Sequence, residues 1–131
     1  MRTKDFDTAL QLFRDKFYEL HPRDTLPTWF RNCVTFGAIK EGDKSWRIEY
    51  TALPKGQLDE NEFWETRPNG GMALVSVDPE TGEKSYIISN TTENVLTIFE
   101  AIVDLNTSEV LVTVNKDLRE INGEDLEPYQ L

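Results

Sequence analysis

The sequence predicts an α+β domain: an N-terminal amphipathic helix packed on the inner face of a curved antiparallel sheet of about six strands, folded as three successive hairpins. Three observations carry that prediction. An apolar stripe at helical spacing opens the chain. The apolar period falls to two from Asn32 onward. Clusters of turn-forming residues then separate the alternating stretches in pairs. With 131 residues, 38% of them hydrophobic, residues 1–131 are expected to form one domain around one core.

Phe6, Leu10, Phe13, Phe17 and Leu20 recur at steps of four and three, with Ala9 beside them, which marks one face of a helix. Asp5 is its expected N-cap, and Asp7 adds a carboxylate near the positive end of the helix dipole. Pro22 forces His21 out of helical conformation, so the helix stops there. Pro22–Thr28 reads as a connector. Val34, Phe36 and Ala38 then alternate with smaller or polar residues. Glu41-Gly42-Asp43-Lys44 forms a turn, and Trp46, Ile48 and Tyr50 continue the alternation as a first hairpin.

Leu53–Asn69, with two prolines, a glycine and four acids, reads as a long loop. Met72–Val77 and Glu83–Ser89 flank the turn Asp78-Pro79-Glu80-Thr81-Gly82 as a second hairpin. Val95–Val103 and Glu109–Val114 flank Asp104–Ser108 as a third. Val95, Ile98, Phe99 and Ile102 also fit helical spacing, but β-branched residues favour strand. The two turns share the pattern Val-Asp-x-x-Thr-Gly/Ser-Glu, in which the Asp accepts hydrogen bonds from backbone N–H groups of the turn. Residues 116–131 form an acidic C-terminal tail, either docked on the domain by Leu118, Ile121, Leu126 and Tyr129 or loosely ordered as a frayed end.

Charge divides the chain. Residues 1–50 hold nine Lys/Arg against eight Asp/Glu, while residues 51–131 hold five against sixteen. The formal net charge is −10. A field of one sign speaks to partners and solubility rather than to fold. It favours a cationic protein partner and disfavours direct contact with nucleic acid or anionic lipid. No apolar run is long enough to span a bilayer or to serve as a secretory signal, so a cytoplasmic protein is expected. Asn90-Thr91-Thr92 and Asn106-Thr107-Ser108 match the glycosylation pattern and are read as turn chemistry.

Chemistry that enzymes and metal sites require is sparse. Cys33 is the lone cysteine, in an apolar run, and His21 is the lone histidine, at a helix end. Neither disulfide nor paired-imidazole zinc site can be built from one of each. Gly70-Gly71 precedes a strand rather than a helix, which is not the context of a phosphate cradle. No catalytic residue, metal or cofactor is expected.

The candidate site is Gln57–Arg67, reading QLDENEFWETR. Asp59, Glu60, Glu62 and Glu65 surround Phe63 and Trp64 in what reads as an exposed loop. Carboxylates steer a basic partner and pair with its Arg and Lys, and aromatic rings supply apolar contact and a face for cations. The competing reading makes Phe63 and Trp64 pins that hold the loop on the sheet. Asp78, Glu80 and Glu83 in the second turn, and Glu124 and Asp125 in the tail, are secondary candidates.

Ser45-Trp46-Arg47-Ile48-Glu49-Tyr50, a variable loop, and Gly70-Gly71-Met72-Ala73-Leu74-Val75-Ser76-Val77-Asp78-Pro79-Glu80-Thr81-Gly82-Glu83 together resemble a known layout. It is that of small bacterial immunity domains of the YrhB and immunity-protein-35 kind, with a looser likeness to cystatin-like and PepSY-like domains. The likeness runs over residues 5–90. It implies a cystatin-like arrangement and a cytoplasmic protein that neutralises a toxin, a monomer or homodimer in itself. An acidic surface suits a nuclease toxin, whose substrate cleft is basic, and inhibition is then by occlusion. Two other readings stay open: a phage-type nucleic-acid mimic that binds a host DNA-binding protein, and a small enzyme or ligand-binding domain with a pocket on the concave sheet face.

Overall fold

The computed structural model describes residues 4–66, 72–87 and 95–128. Helix α1 spans Lys4–Leu20 and buries Ala9, Leu10, Phe13 and Phe17, four residues of one stripe. Phe6 extends the stripe onto Trp46, with ring centroids 5.1 Å apart. Leu20 departs from expectation: it is 42% exposed, because the stripe leaves the sheet one turn before the helix ends. Asp5 is not the cap. It lies inside the first turn, and its carboxylate takes a 2.8 Å hydrogen bond from Lys44 Nζ in the turn at residues 41–44. His21 N–H bonds Phe17 O at 2.7 Å, and Pro22 follows.

The connector carries more structure than its prolines suggest. A 3₁₀ turn covers Arg23–Thr25, and a short helix α2 spans Thr28–Cys33 behind Pro27. Proline suits a helix entry because its missing N–H is one that no helix turn would bond. Asn32 and Cys33 are therefore helical, and the first strand opens at Val34.

Seven strands follow among the described residues: β1 Val34–Lys40, β2 Ser45–Ala52, β3 Glu62–Thr66, β4 Met72–Val77, β5 Lys84–Ile87, β6 Leu96–Asp104 and β7 Glu109–Asn115. The α+β class and its hairpins β1–β2, β4–β5 and β6–β7 are as predicted, and Leu96–Asp104 is strand. The single curved sheet is not. The strands form two antiparallel sheets, one of order β1-β2-β6-β7 and one of order β3-β4-β5. Strand β2 takes β6 as its second neighbour, with Ile48 opposite Ala101 and Tyr50 opposite Phe99. The three-stranded sheet is thus an excursion between two strands that lie side by side.

The core sits between α1 and the four-stranded sheet. Ile48, Phe99, Ala101 and Val103 face Ala9, Phe13 and Phe17, all with no exposed surface. Phe17 is the hub: its ring lies 5.1 Å from Phe30, 5.1 Å from Phe99 and 5.0 Å from Tyr50. Burying one such side chain contributes about 1.5–3 kcal/mol. A second, smaller cluster joins Leu53, Trp64 and Leu74, with Leu58 and Val95 against it.

The tail wraps back as two 3₁₀ turns, Leu118–Glu120 and Gly123–Asp125. Leu118 and Leu126 are buried in the main core and Ile121 packs against it. Backbone bonds tie the tail to the chain leaving β2: Glu127 N to Leu53 O at 2.7 Å and Lys55 N to Asp125 O at 2.8 Å. Gly123 lies under Trp29 so closely that an added Cβ would sit 2.2 Å from Trp29 Cγ. Tyr129, Gly70-Gly71, Asn90-Thr91-Thr92 and the Ile88–Ser89 end of the second hairpin lie outside the described residues.

Candidate functional site

The second part of the predicted acidic loop is strand. Only its first part, through Asn61, is a turn, and Glu62–Thr66 pairs with β4. The turn is knotted to the strand it opens. Glu62 N–H bonds Asp59 O at 3.0 Å, and Glu62 Oε1 accepts from Asp59 N–H at 2.8 Å. Asn61 anchors the turn to the end of β4: its carbonyl accepts from Val77 N–H at 2.9 Å, and its Nδ2 donates to Val77 O at 2.9 Å.

Val77 is the last residue of β4, and the Asp78–Glu83 turn follows it. That turn is closed by Asp78 N–H to Glu83 O at 2.8 Å, and Asp78 Oδ1 accepts from Glu80 N–H at 2.8 Å. The predicted role of the turn aspartate is met here and at Asp104, whose Oδ1 accepts from Asn106 N–H at 2.9 Å. Antiparallel pairing therefore brings Asp59, Glu60 and Glu62 to the same end of the three-stranded sheet as Asp78, Glu80 and Glu83. Asp59, Glu60, Asp78, Glu80 and Glu83 are exposed, and Glu62 is half-buried.

Phe63 and Trp64 part company because successive strand residues face opposite ways. Trp64 is 8% exposed and packs on Leu53 and Leu74. It is the pin of the small sheet, which removes it from the exposed contact set. Phe63 stays half-buried on the other face, where Lys84 Nζ lies 5.8 Å from its ring centroid. Lys84 also pairs with Glu65 Oε1 at 3.7 Å, while Glu65 Oε2 is buried with no hydrogen-bond partner among the described residues. Glu65 is thus turned across β4 to Lys84 of β5 rather than outward. Glu124 and Asp125 stand apart, in the tail turn beside Lys55. Glu124 N–H bonds Asn122 Oδ1 at 3.1 Å.

Two arrangements have no sequence signal, because their partners meet only across the fold. On the outer face of the four-stranded sheet, Glu49 lies directly opposite Glu100. Arg47 reaches Glu41 at 2.9 Å and Glu100 at 3.6 Å. Burial, with the Glu100 carboxylate next to it, pushes the Glu49 carboxyl above its ordinary value. At the end of α1, His21 Nε2 lies 2.5 Å from Asn115 Oδ1 on β7, and its ring stacks on Phe17 at 4.9 Å. These contacts border an open groove of about 450 Å³ that includes Leu20, Lys116, Asp117 and Arg119. Asp117 and Arg119 are already paired, at 3.1 Å from Nε to Oδ1. Among the described residues no group of three His, Cys, Asp or Glu side chains converges as a metal site, and no helix is long and apolar enough to cross a membrane.

Fold and site together define an α+β protein whose inserted three-stranded sheet carries carboxylates at one end. Set against family models, curated proteins and solved structures, the chain matches none.

Proposed function

We propose that the protein is an acidic binding protein of the immunity type, which neutralises a basic toxin, a nuclease by its electrostatics, by occluding its cleft in the cytoplasm. The observation that carries this reading is the gathering of Asp59, Glu60, Glu62, Asp78, Glu80 and Glu83 at one end of the three-stranded sheet, which is inserted in the chain between β2 and β6. Lys84 is the cation nearest in sequence to that end, and it is engaged by Glu65. Two tight turns hold the backbone that presents these carboxylates, and the Glu62 and Asp78 carboxylates are held in addition by turn N–H groups; the set stands in for the phosphates of a nucleic acid. Phe63 adds a half-buried ring on one face of the same sheet. No catalytic step on this chain is needed for occlusion.

The test is affinity capture from the native organism with the intact protein as bait, followed by identification of what is held. The reading expects one basic protein, retained at low salt and released as salt rises. Capture of several unrelated DNA-binding proteins would favour a nucleic-acid mimic instead. Capture that is unchanged when Asp59, Glu60, Glu80 and Glu83 become Asn or Gln would remove the acidic end from the interface.

A further inference from the structure

Strand β7 ends the four-stranded sheet with no neighbour on its outer side among the described residues. Its stretch Val110-Leu111-Val112-Thr113-Val114 holds no charge, proline or glycine. Edge strands that must stay single are usually blunted by charges, prolines or bulges, because an open row of N–H and C=O groups accepts another strand; of these the stretch carries one bulge, at Thr113. Leu111 is 64% exposed.

The register along β7 says which strand fits. Val110 lies opposite Val103 and Val112 opposite Ala101, so both face the helix layer. Glu109 lies opposite Asp104 and Leu111 opposite Ile102, on the outer face. Thr113 is the extra residue of a bulge, and its hydroxyl donates back to Glu100 O at 3.2 Å. Beyond it Val114 faces Glu100 and Asn115 faces Phe99. The bulge thus moves Val114 onto the same face as Leu111, and Lys116, one step past Asn115, falls on the face of Glu109.

A second β7 laid antiparallel about a two-fold axis between Val112 and Thr113 matches these faces on both sides of the central Val112–Thr113 pair, where the bulge interrupts the match. Leu111 of each copy meets Val114 of the other, Val110 meets Asn115, and Glu109 meets Lys116. Neither Glu109 nor Lys116 makes an ion pair with another described residue of its own chain. We propose that the protein forms a two-fold symmetric dimer through β7, which joins two four-stranded sheets edge to edge. Such an interface is self-complementary, as a two-fold contact must be. The helices do not obstruct it. Helix α1 packs over β2, β6 and β7, and the two β6 strands would lie three strand spacings apart, about 14 Å. That exceeds the roughly 8–10 Å between packed helices.

Sedimentation equilibrium on the purified full chain, over a micromolar to millimolar series, tests the proposal. The wild type is expected to pass from monomer to dimer. Leu111→Lys is expected to stay monomeric, and Glu109→Lys or Lys116→Glu alone is expected to weaken the dimer by about tenfold. The double variant Glu109→Lys/Lys116→Glu is expected to recover most of that loss, because the pair is only exchanged. All three residues are exposed, and circular dichroism checks that each variant is folded. A wild type that is monomeric throughout overturns the proposal. So does a dimer indifferent to Leu111→Lys, or a double variant no better than the single ones.

Discussion

Ser108 holds a backbone conformation that its twin position gives to glycine. The two turns share one sequence pattern. Gly82 has φ +74° and Ser108 has φ +58° in the corresponding place. A side chain in the left-handed region costs about 1 kcal/mol relative to glycine. Ser108→Gly is therefore expected to stabilise the protein by about 0.5–1 kcal/mol, and Gly82→Ala to destabilise it by about as much; denaturant melts read both. Glu49 is a second residue held against its preference. Its folded carboxyl titrates above its ordinary value, so folding favours the protonated form. The folded state then binds more protons than the unfolded one, and stability falls as pH rises through the window from the ordinary value of 4.5 up to the raised one. Above that window Glu49→Gln is expected to be more stable than wild type, and the advantage is expected to disappear in acid. Melts at stepped pH measure the difference. Asp5 and Asp117 act with the opposite sign. Their carboxyls lie below the ordinary range, through hydrogen bonds from Lys44 and Arg119, and their contribution fades as pH falls.

Elements divide according to how local their cause is. Helix α1 and the hairpins β1–β2 and β6–β7 were legible because period and turn chemistry act within a dozen or so residues. Strand β3 was not. Glu62 and Glu65 give it the look of solvent-facing loop, and their true partners, the Asp59 amide and Lys84, come from turn closure and from another strand. Helix α2 was hidden by its six residues and by Pro27. The split into two sheets rests on β2 choosing β6, a pairing of segments far apart in sequence that no local pattern encodes. The acidic end was legible as composition but not as geometry, since register alone brings the Asp78–Glu83 turn to Asp59. The packing that sequence could not assign yields two tests. Trp64→Ala removes the pin between Leu53 and Leu74 and is expected to cost about 3–5 kcal/mol. Exchange of β3–β5 amides, read by hydrogen–deuterium exchange, should then rise ahead of β1–β2. Gly123→Ala forces a methyl into the Trp29 ring and is expected to cost about 1–3 kcal/mol. Gly42→Ala, whose nearest atom is Ser45 Cβ at 3.7 Å, serves as the tolerant comparison.

At the scale of the whole molecule the charge asymmetry becomes a kinetic statement. The acidic end is expected to raise the association rate with a basic partner, and that rate should fall as salt screens it. Neutralising Asp59, Glu60, Glu80 and Glu83 should slow association by about tenfold while leaving the melting curve nearly unchanged, since no described side-chain hydrogen bond or ion pair joins these four carboxylates to another residue. Stopped-flow binding at stepped ionic strength measures it. The insertion has one more effect. Ala52 and Leu96 stand directly across from each other in the β2–β6 ladder, so the chain departs for the small sheet and returns at almost the same point. A segment with coincident entry and exit behaves as a cassette: exchange it for a different one and the ladder beneath is expected still to close.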